Sequence, residues 1–210
     1  MIRQNRRVRL FAMGLSALAG YVDAVGFMAL GGFFVSFMSG NTTRMAVGLV
    51  DHAAAASRAG GLIALFVAGV VIGSLVGRTA RRPKVGVLLT VSGLLGAGAC
   101  AGALGHPLIA AAGMALAMGA ENAVFARDGD VQIGLTYMTG TLVKMGQRLA
   151  GALLGDPAWD WWPYALLWAG LAGGAVIGAF AYAAIGLATL WIAAGAAFLA
   201  ALFAWWFDEP

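Results

Sequence analysis

Three acidic or amide side chains of this sequence fall inside apolar stretches, where they could carry chemistry. Asp23 lies in the first apolar run of the chain, and Glu121 and Asn122 lie in a similar setting about 100 residues later. A carboxyl group at membrane depth is costly to bury, and such residues commonly belong to proton or solute pathways. We therefore expect a polar pathway here, in which Asp23 or Glu121 carries a coupling proton and Asp23→Asn abolishes activity without unfolding the protein.

Two segments rich in hydroxyl groups follow these residues. Residues 36–45 read SFMSGNTTRM, and residues 136–145 read TYMTGTLVKM. Ser, Thr and Asn around a glycine suit helix starts, where their side chains cap free N–H groups, and a helix N-terminus inside a protein attracts anions or carbonyl dipoles. The expected substrate or ion pathway consists of Asp23, Asn41, Thr42, Arg44, Glu121, Asn122, Thr139 and Lys144.

The same residues also have a structural interpretation. Asp23 could pair with Arg44, and Glu121 with Lys144, so that each basic segment is held against its helix. An unpaired basic residue at the bilayer centre costs about 2.5–3.5 kcal/mol on insertion scales, which gives such pairing a physical reason. The two interpretations are compatible, and the sequence leaves both open.

The composition places these residues in a membrane protein. Of the 210 residues, 61% are hydrophobic and 10% are charged, against about 45–50% and 25% in soluble domains. Such a composition excludes a soluble enzyme, a disordered chain and a disulfide scaffold. The net charge of +4 is carried by short basic clusters between apolar stretches, a pattern that indicates membrane orientation and not nucleic-acid binding.

No residue pattern indicates catalysis or a cofactor. The single cysteine, Cys100, cannot form an internal disulfide, and His52 and His106 stand alone in expected loops. The sequence contains no Ser/His/Asp set, no phosphate-binding loop and no metal-ligand spacing. We therefore expect no enzyme activity, no cofactor and no metal site.

Six apolar runs are long enough to cross a bilayer core of about 30 Å as helices. They cover residues 10–31, 60–77, 85–104, 107–126, 163–186 and 187–207. Two further segments, 33–50 and 131–154, carry too many polar residues to face lipid. We expect these two to form short helical elements that are sheltered by protein or re-entrant.

The chain also matches itself at an offset of about 100 residues. The two hydroxyl-rich segments align, and GYVDA at 20–24 aligns with GAENA at 119–123. The sequence thus predicts one all-α polytopic transmembrane domain over 1–210, built as repeats 8–104 and 107–207. Three crossings in each repeat would make the repeats inverted, whereas four in each would make them parallel.

Basic residues favour the inverted arrangement with both termini in the cytoplasm. With six crossings, the basic start (Arg3, Arg6, Arg7, Arg9) and the cluster at 78–84 both fall inside, as the positive-inside rule requires. With eight crossings, the cluster at 78–84 would fall outside. Spaced glycines suit close helix packing, either between the halves of one chain or across a homodimer face: Gly69, Gly73, Gly77, Gly170, Gly174 and Gly178.

The residues GYVDAVGF at 20–27, followed by FMSGNTT at 37–43, resemble the signature of the YoaK-like family of bacterial polytopic membrane proteins. The resemblance covers essentially the whole chain. It implies an inner-membrane protein with about six spans and brings no catalytic residues, because the family's domain is one of unknown function.

A second, weaker resemblance lies in GSLVGRTARR at 73–82. It is similar to the cytoplasmic loop between the second and third helices of major facilitator transporters, although Gly77 stands where that loop usually has an acidic residue. Each half of such a transporter is a three-plus-three inverted repeat. The resemblance implies that this chain corresponds to one half and needs a partner copy to enclose a path.

The sequence therefore predicts a transporter or channel-like permease of the bacterial inner membrane for a small solute, with its site between the two repeats. Its expected partners are the lipid bilayer, an unidentified small-molecule solute and a second copy in a homodimer. The alternative is a non-transport membrane protein, an assembly partner or a sensor, whose intramembrane polar residues are structural pairs.

Overall fold

The computed structural model describes residues 6–127, 130–131 and 133–207. Arg3 of the basic start lies outside them, as do residues 128, 129 and 132. Two-residue strands, Ala126–Arg127 and Asp130–Val131, pair antiparallel. The helices of the described chain are α1 (Arg6–Ala29), α2 (Met38–Asp51), α3 (Ala53–Thr79), α4 (Pro83–Ala103), α5 (Pro107–Glu121), α6 (Met138–Leu153), α7 (Trp162–Ile185) and α8 (Leu190–Phe207), with 3-10 turns at Asn122–Phe125 and Gly186–Thr189.

Five helical stretches of the described chain are long and apolar enough to cross a membrane. Four of them are α1, α3, α4 and the segment Pro107–Phe125, which combines α5 with its 3-10 turn. The fifth, Trp162–Phe207, has 46 residues and as one straight helix would span about 69 Å, more than twice the bilayer core. Gly186, with φ of +59°, divides it into α7 and α8. The expected all-α polytopic fold is thus confirmed.

Close contacts at glycines fix the relative direction of two helix pairs. A Cβ atom added to the α7 glycines would contact the α1 backbone, and the residue numbers of the contacts increase together along both helices: Gly170 with Met13, Gly174 with Ala17 and Gly178 with Tyr21. Helices α1 and α7 are therefore parallel. The α3 glycines meet the α5 backbone in the same rising order, Gly69 at Leu116 and Gly73 at Ala120. Helices α3 and α5 are therefore parallel as well.

Helix α8 runs antiparallel to α1 and to α4. Phe11 of α1 stacks on Phe203 at 5.4 Å between ring centroids, whereas Tyr21, farther along α1, bonds to Thr189 just before α8. Along α4, Ser92 donates a hydrogen bond to the carbonyl of Ala194 at 2.9 Å. Arg82, just before α4, donates to the carbonyl of Trp205 at 2.8 Å.

Helices α4 and α5 are also antiparallel, since Gly98 meets Ala110 and Gly113 meets Leu94. With the pairs above, α1, α3, α4, α5, α7 and α8 alternate in direction along the chain. The end of α1 and the start of α3 consequently share one end of the bundle, so α2 between them does not cross. By the same reasoning α6, between α5 and α7, does not cross either.

The polar helices begin later than the sequence indicates. Segments expected from residues 33 and 131 become helical only at Met38 and Met138, and α1 ends at Ala29, where residue 31 was expected. Gly31 and Gly32 follow with φ of +64° and +100°, a left-handed backbone that terminates a helix. The expectation of hydroxyl caps is wrong, because Phe37 and Tyr137 occupy the N-cap positions and no side chain caps either helix.

Candidate functional site

Asp23 holds the loop that connects α1 to α2. Its Oδ1 atom accepts hydrogen bonds from the backbone N–H groups of Val35 and Ser36, at 2.9 Å and 2.7 Å. The side chains of Val35 and Ser36 are buried, so these N–H groups have little access to another acceptor. The carboxylate thus replaces the missing backbone partners of a loop that lies inside the protein.

Asn41 closes the same loop from the other side. Its side chain is fully buried, accepts a hydrogen bond from the N–H of Phe34 at 3.1 Å and donates one to the carbonyl of Phe34 at 2.6 Å. One amide thereby satisfies both backbone groups of a single loop residue. The hydroxyl-rich motif therefore contributes a clamp on the preceding loop, in place of the helix cap that the sequence indicates.

The second half uses an amide where the first half uses a carboxylate. The buried Asn122 side chain donates to the carbonyl of Met118 at 2.9 Å and accepts from the Thr136 hydroxyl at 3.1 Å. Thr136 aligns with Ser36 in the sequence repeat, so both halves connect the same two positions. In the first half the Asp23 carboxyl bonds to both the backbone and the side chain of Ser36, whereas in the second half Asn122 accepts a bond from the Thr136 hydroxyl.

Glu121 is the polar group that this network leaves out. Its side chain is fully buried, and neither carboxylate oxygen has a hydrogen-bond partner among the described residues. It is the last residue of α5, at the point where the α-helix changes to a 3-10 turn. A buried carboxyl without a partner is unfavourable, so its place at a break in a membrane-crossing segment calls for a functional explanation.

The ion pairs that the sequence left open do not form at either position. Asp23 binds backbone N–H groups, and Glu121 has no partner. The Arg44 guanidinium instead lies over the Phe33 ring at 5.2 Å from its centroid, and Arg58 lies over the same ring at 5.6 Å. This cation–π arrangement places Arg44 beside the loop, against Phe33 and Gly32.

The remaining expected pathway residues lie at the surface of the chain. Thr42 is exposed, and its hydroxyl donates to the carbonyl of Met38 at 2.9 Å. Thr139 and Lys144 are also exposed. Lys144 lines a cavity of about 280 Å³ between α6 and α7 with Gln147, Arg148 and Tyr164. The structure thus places Asn41, Glu121 and Asn122 in the interior, leaves Asp23 and Arg44 half-buried, and leaves Thr42, Thr139 and Lys144 exposed.

Arg44 also lines a cavity, of about 250 Å³, between α2 and α3. Its lining includes Thr43, Asp51 and His52. Neither this cavity nor that at Lys144 includes Asp23, Glu121 or Asn122 in its lining. The interior polar residues and the surface basic residues therefore form separate groups in this conformation.

Most of the spaced glycines pack helices within the chain. Five of them lie where a Cβ would collide with the backbone of a neighbouring helix: Gly69, Gly73, Gly170, Gly174 and Gly178. Gly77 differs, since its nearest neighbour is the Val87 side chain at 3.6 Å. Contacts of this kind allow two helix backbones to approach closely, here α7 to α1 and α3 to α5.

Three interior hydroxyl groups were not singled out from the sequence. Ser16 donates to the carbonyl of Leu167 at 3.1 Å, and Tyr21 shares its hydrogen bond with the Thr189 hydroxyl. Both contacts join the first half of the chain to the second. The signal available was the position of Tyr21 within the repeated GYVDA segment, but the sequence does not show its partner.

The chain is similar to known proteins along most of its length. The profile of a family described as "Protein of unknown function (DUF1275)" matches residues 11–203. A protein of Rhizobium meliloti (strain 1021), named UPF0700 transmembrane protein RA0705, is 39% identical over 186 residues, which cover 88% of this chain and 80% of that protein. No solved structure matches. The likeness to YoaK-like proteins and to major facilitator transporters stays a prediction.

Proposed function

We propose that this multi-pass membrane protein is a proton-coupled permease for a small solute in the bacterial inner membrane. The chain belongs to the DUF1275 family, whose description specifies no activity, so the proposal is made from the geometry of the chain. In this proposal Glu121 carries the proton. The solute site lies where the two halves meet, beside Asp23 and Asn122.

The unpartnered Glu121 carboxyl is the observation that carries the proposal. An ionised carboxylate is strongly disfavoured away from water unless it is paired, so Glu121 can ionise only in a conformation that brings water or a partner to it. A permease that couples transport to protons needs such a group, because its proton must be exchanged in step with a conformational change. Helix breaks at membrane depth commonly line transporter sites, and Glu121 lies at one.

The helix directions support a relation between the halves by inversion. Helix α1, the first helix of the first half, packs parallel to α7, the second crossing helix of the second half. In the same way α5, the first helix of the second half, packs parallel to α3, the second crossing helix of the first half. Gly20 of α1 meets Leu171, and Gly119 of α5 meets Phe66. We infer repeats 8–104 and 107–207, in which α2 and α6 are the equivalent non-crossing helices.

The packing contacts change one detail of the repeat alignment. Ala17 and Leu116 are equivalent on the first helices, and they meet Gly174 and Gly69, respectively. The equivalent of Gly69 in the second half is therefore Gly174, one helical turn beyond Gly170, which lies at the offset of about 100 residues that the sequence repeat shows. The longer connection before α7, from Leu153 to Trp162, accommodates this shift.

The basic residues support a cytoplasmic position for both termini. The hydrogen bond from Arg82 to Trp205 and the contact of Arg7 with the Phe207 ring at 5.6 Å place the start of α1, the α3–α4 loop and the end of α8 together. This end carries most of the basic residues of the described chain: Arg6, Arg7, Arg9, Arg78, Arg81, Arg82 and Lys84. The positive-inside rule assigns such an end to the cytoplasm.

Cysteine accessibility tests the proposal without knowledge of the solute. In a Cys100→Ala background, Glu121→Cys is treated with a water-soluble thiol reagent in intact membranes. Ala117→Cys, one turn earlier on α5 and equally buried, is the matched control, and the exposed Leu104→Cys gives the full labelling rate. A permease should admit water to position 121 and not to 117. Equal protection at both positions would contradict a water-filled path.

A second function, that of a non-transport assembly partner or sensor, is favoured by a different observation. Asp23, Asn41 and Asn122 are satisfied by neighbouring loop and helix groups, as structural residues would be. In that case solutes would leave the labelling of position 121 unchanged, and Glu121→Gln would keep the native function. The homodimer stays a prediction, and because the glycines pack within the chain they give it no support.

A further inference from the structure

An apolar groove runs between α1 and α8 on the surface of the bundle. It has a volume of about 490 Å³, which lies within the range of about 300–1,000 Å³ typical of ligand pockets. Its walls are almost entirely apolar, with one basic residue, Arg7, at one end. Its lining includes Arg7, Gly14, Leu15 and Leu18 of α1 and Ala200 and Phe203 of α8.

The groove has the depth of one membrane leaflet. From Arg7 to Leu18 the α1 helix advances 11 residues, which at 1.5 Å per residue is about 16 Å. This is about half of a bilayer core of roughly 30 Å. The groove begins at the basic end of the bundle, where α1 starts and α8 ends, and it closes towards the middle, where Tyr21 bonds to Thr189.

The equivalent interface in the other half is closely packed along its described residues. Under the inverted relation, α4 and α5 correspond to α8 and α1. At that interface Gly98 approaches the carbonyl of Ala110, and Gly113 approaches the carbonyl of Leu94, so the two backbones are in direct contact. The open groove is thus particular to the α1–α8 pair and is not a consequence of the helix arrangement alone.

We propose that the groove binds an anionic phospholipid of the leaflet at the basic end. One acyl chain lies along Leu15 and Leu18, and the phosphate group lies at Arg7. Basic groups between transmembrane helices on the cytoplasmic side recognise anionic head groups, and Arg6 and Arg9 lie within one turn of Arg7 on α1. The apolar walls favour binding of the acyl chain, and the positive charge of Arg7 at the open end favours an anionic head group.

Lipid retention tests the proposal directly. The full chain is reconstituted in nanodiscs of equal parts phosphatidylglycerol and phosphatidylcholine, and bound lipids are counted by native mass spectrometry. The native chain should retain phosphatidylglycerol about tenfold over phosphatidylcholine, as expected for one charge-assisted contact. Arg7→Gln should remove this preference while a lipid is still retained.

Gly14→Leu tests the groove itself. A Cβ at Gly14 has no heavy atom within 4 Å, so the new side chain fits in the groove and excludes the acyl chain, and retention of both lipids should fall about tenfold. Gly93→Leu is the matched control, because a Cβ there is equally unobstructed and lies on α4. Unchanged retention in Gly14→Leu would overturn the proposal, as would equal retention of the two lipids by the native chain. A native dimer that Gly14→Leu converts to a monomer, with no retained lipid, would assign the groove to a second copy instead.

Discussion

Replacing Asp23 measures how strongly the interior loop before α2 is held. Its Oδ1 atom accepts two N–H groups, and a hydrogen bond to a charged group contributes about 1.5–3 kcal/mol. Asp23 keeps part of its surface exposed, so we take about 1.5 kcal/mol for each bond. Asp23→Ala should lower the free energy of unfolding by about 3 kcal/mol. Asp23→Asn keeps an oxygen acceptor without its charge and should cost about 1 kcal/mol.

Both losses are measured by denaturant titration of the purified protein in nanodiscs, followed by circular dichroism. Asp51→Ala is the control, since Asp51 is an exposed acid at the end of α2, and it should change the free energy by no more than about 0.5 kcal/mol. If Asp23→Ala were as stable as the native chain, or if both Asp23 variants lost equally, the acceptor role would be refuted. An uptake assay then separates structure from chemistry, because a stable Asp23→Asn protein without activity would assign the proton to Asp23.

The remaining predictions concern packing, the buried acid and topology. Gly174→Ala should destabilise the protein by about 3 kcal/mol or more because its Cβ collides with the α1 backbone, whereas Gly173→Ala, whose Cβ has open space, should be neutral in the same titration. Glu121→Met should raise the free energy of unfolding by about 1–3 kcal/mol and abolish proton-coupled uptake; a loss of stability would show that the carboxyl has a partner. Cysteines at His52 and Thr79 should label from opposite sides, periplasmic and cytoplasmic, and the reverse result would require eight crossings.

The sequence predicts the crossing helices well because their signal is local. A run of about 20 apolar residues needs no knowledge of its neighbours to identify a span, and the six expected runs correspond to α1, α3, α4, α5, α7 and α8. The polar segments were placed too early, because the loops before α2 and α6 are as apolar as the helices. Helix α1 ends at Ala29 because Gly31 and Gly32 adopt positive φ angles. The composition of the segment does not predict such angles, so the sequence does not show where the helix ends.

The candidate site is less predictable because partners are decided by tertiary contacts. Opposite charges suggested a pair between Asp23 and Arg44, yet the carboxylate binds loop N–H groups and the guanidinium lies over Phe33. An unsatisfied buried N–H group costs about as much as an unpaired side chain, and sequence patterns do not show which N–H groups a loop leaves open. The sequence can therefore name candidate residues, but it cannot assign their contacts.

The two halves divide the polar chemistry unequally, and this inequality bears on function. Position 23 carries a carboxyl group whose Oδ1 accepts two loop N–H groups, whereas its equivalent, Asn122, carries an amide. The carboxyl group of the second half lies one residue earlier, at Glu121, which on a helix turns it by about 100° away from the loop that Asn122 contacts. A purely structural role would place the acid where the first half has it. Because the Glu121 carboxyl lies one residue away from that position and has no partner among the described residues, we infer that it acts on something other than its own loop. If the protein couples transport to protons, the coupled proton would therefore lie at the end of α5.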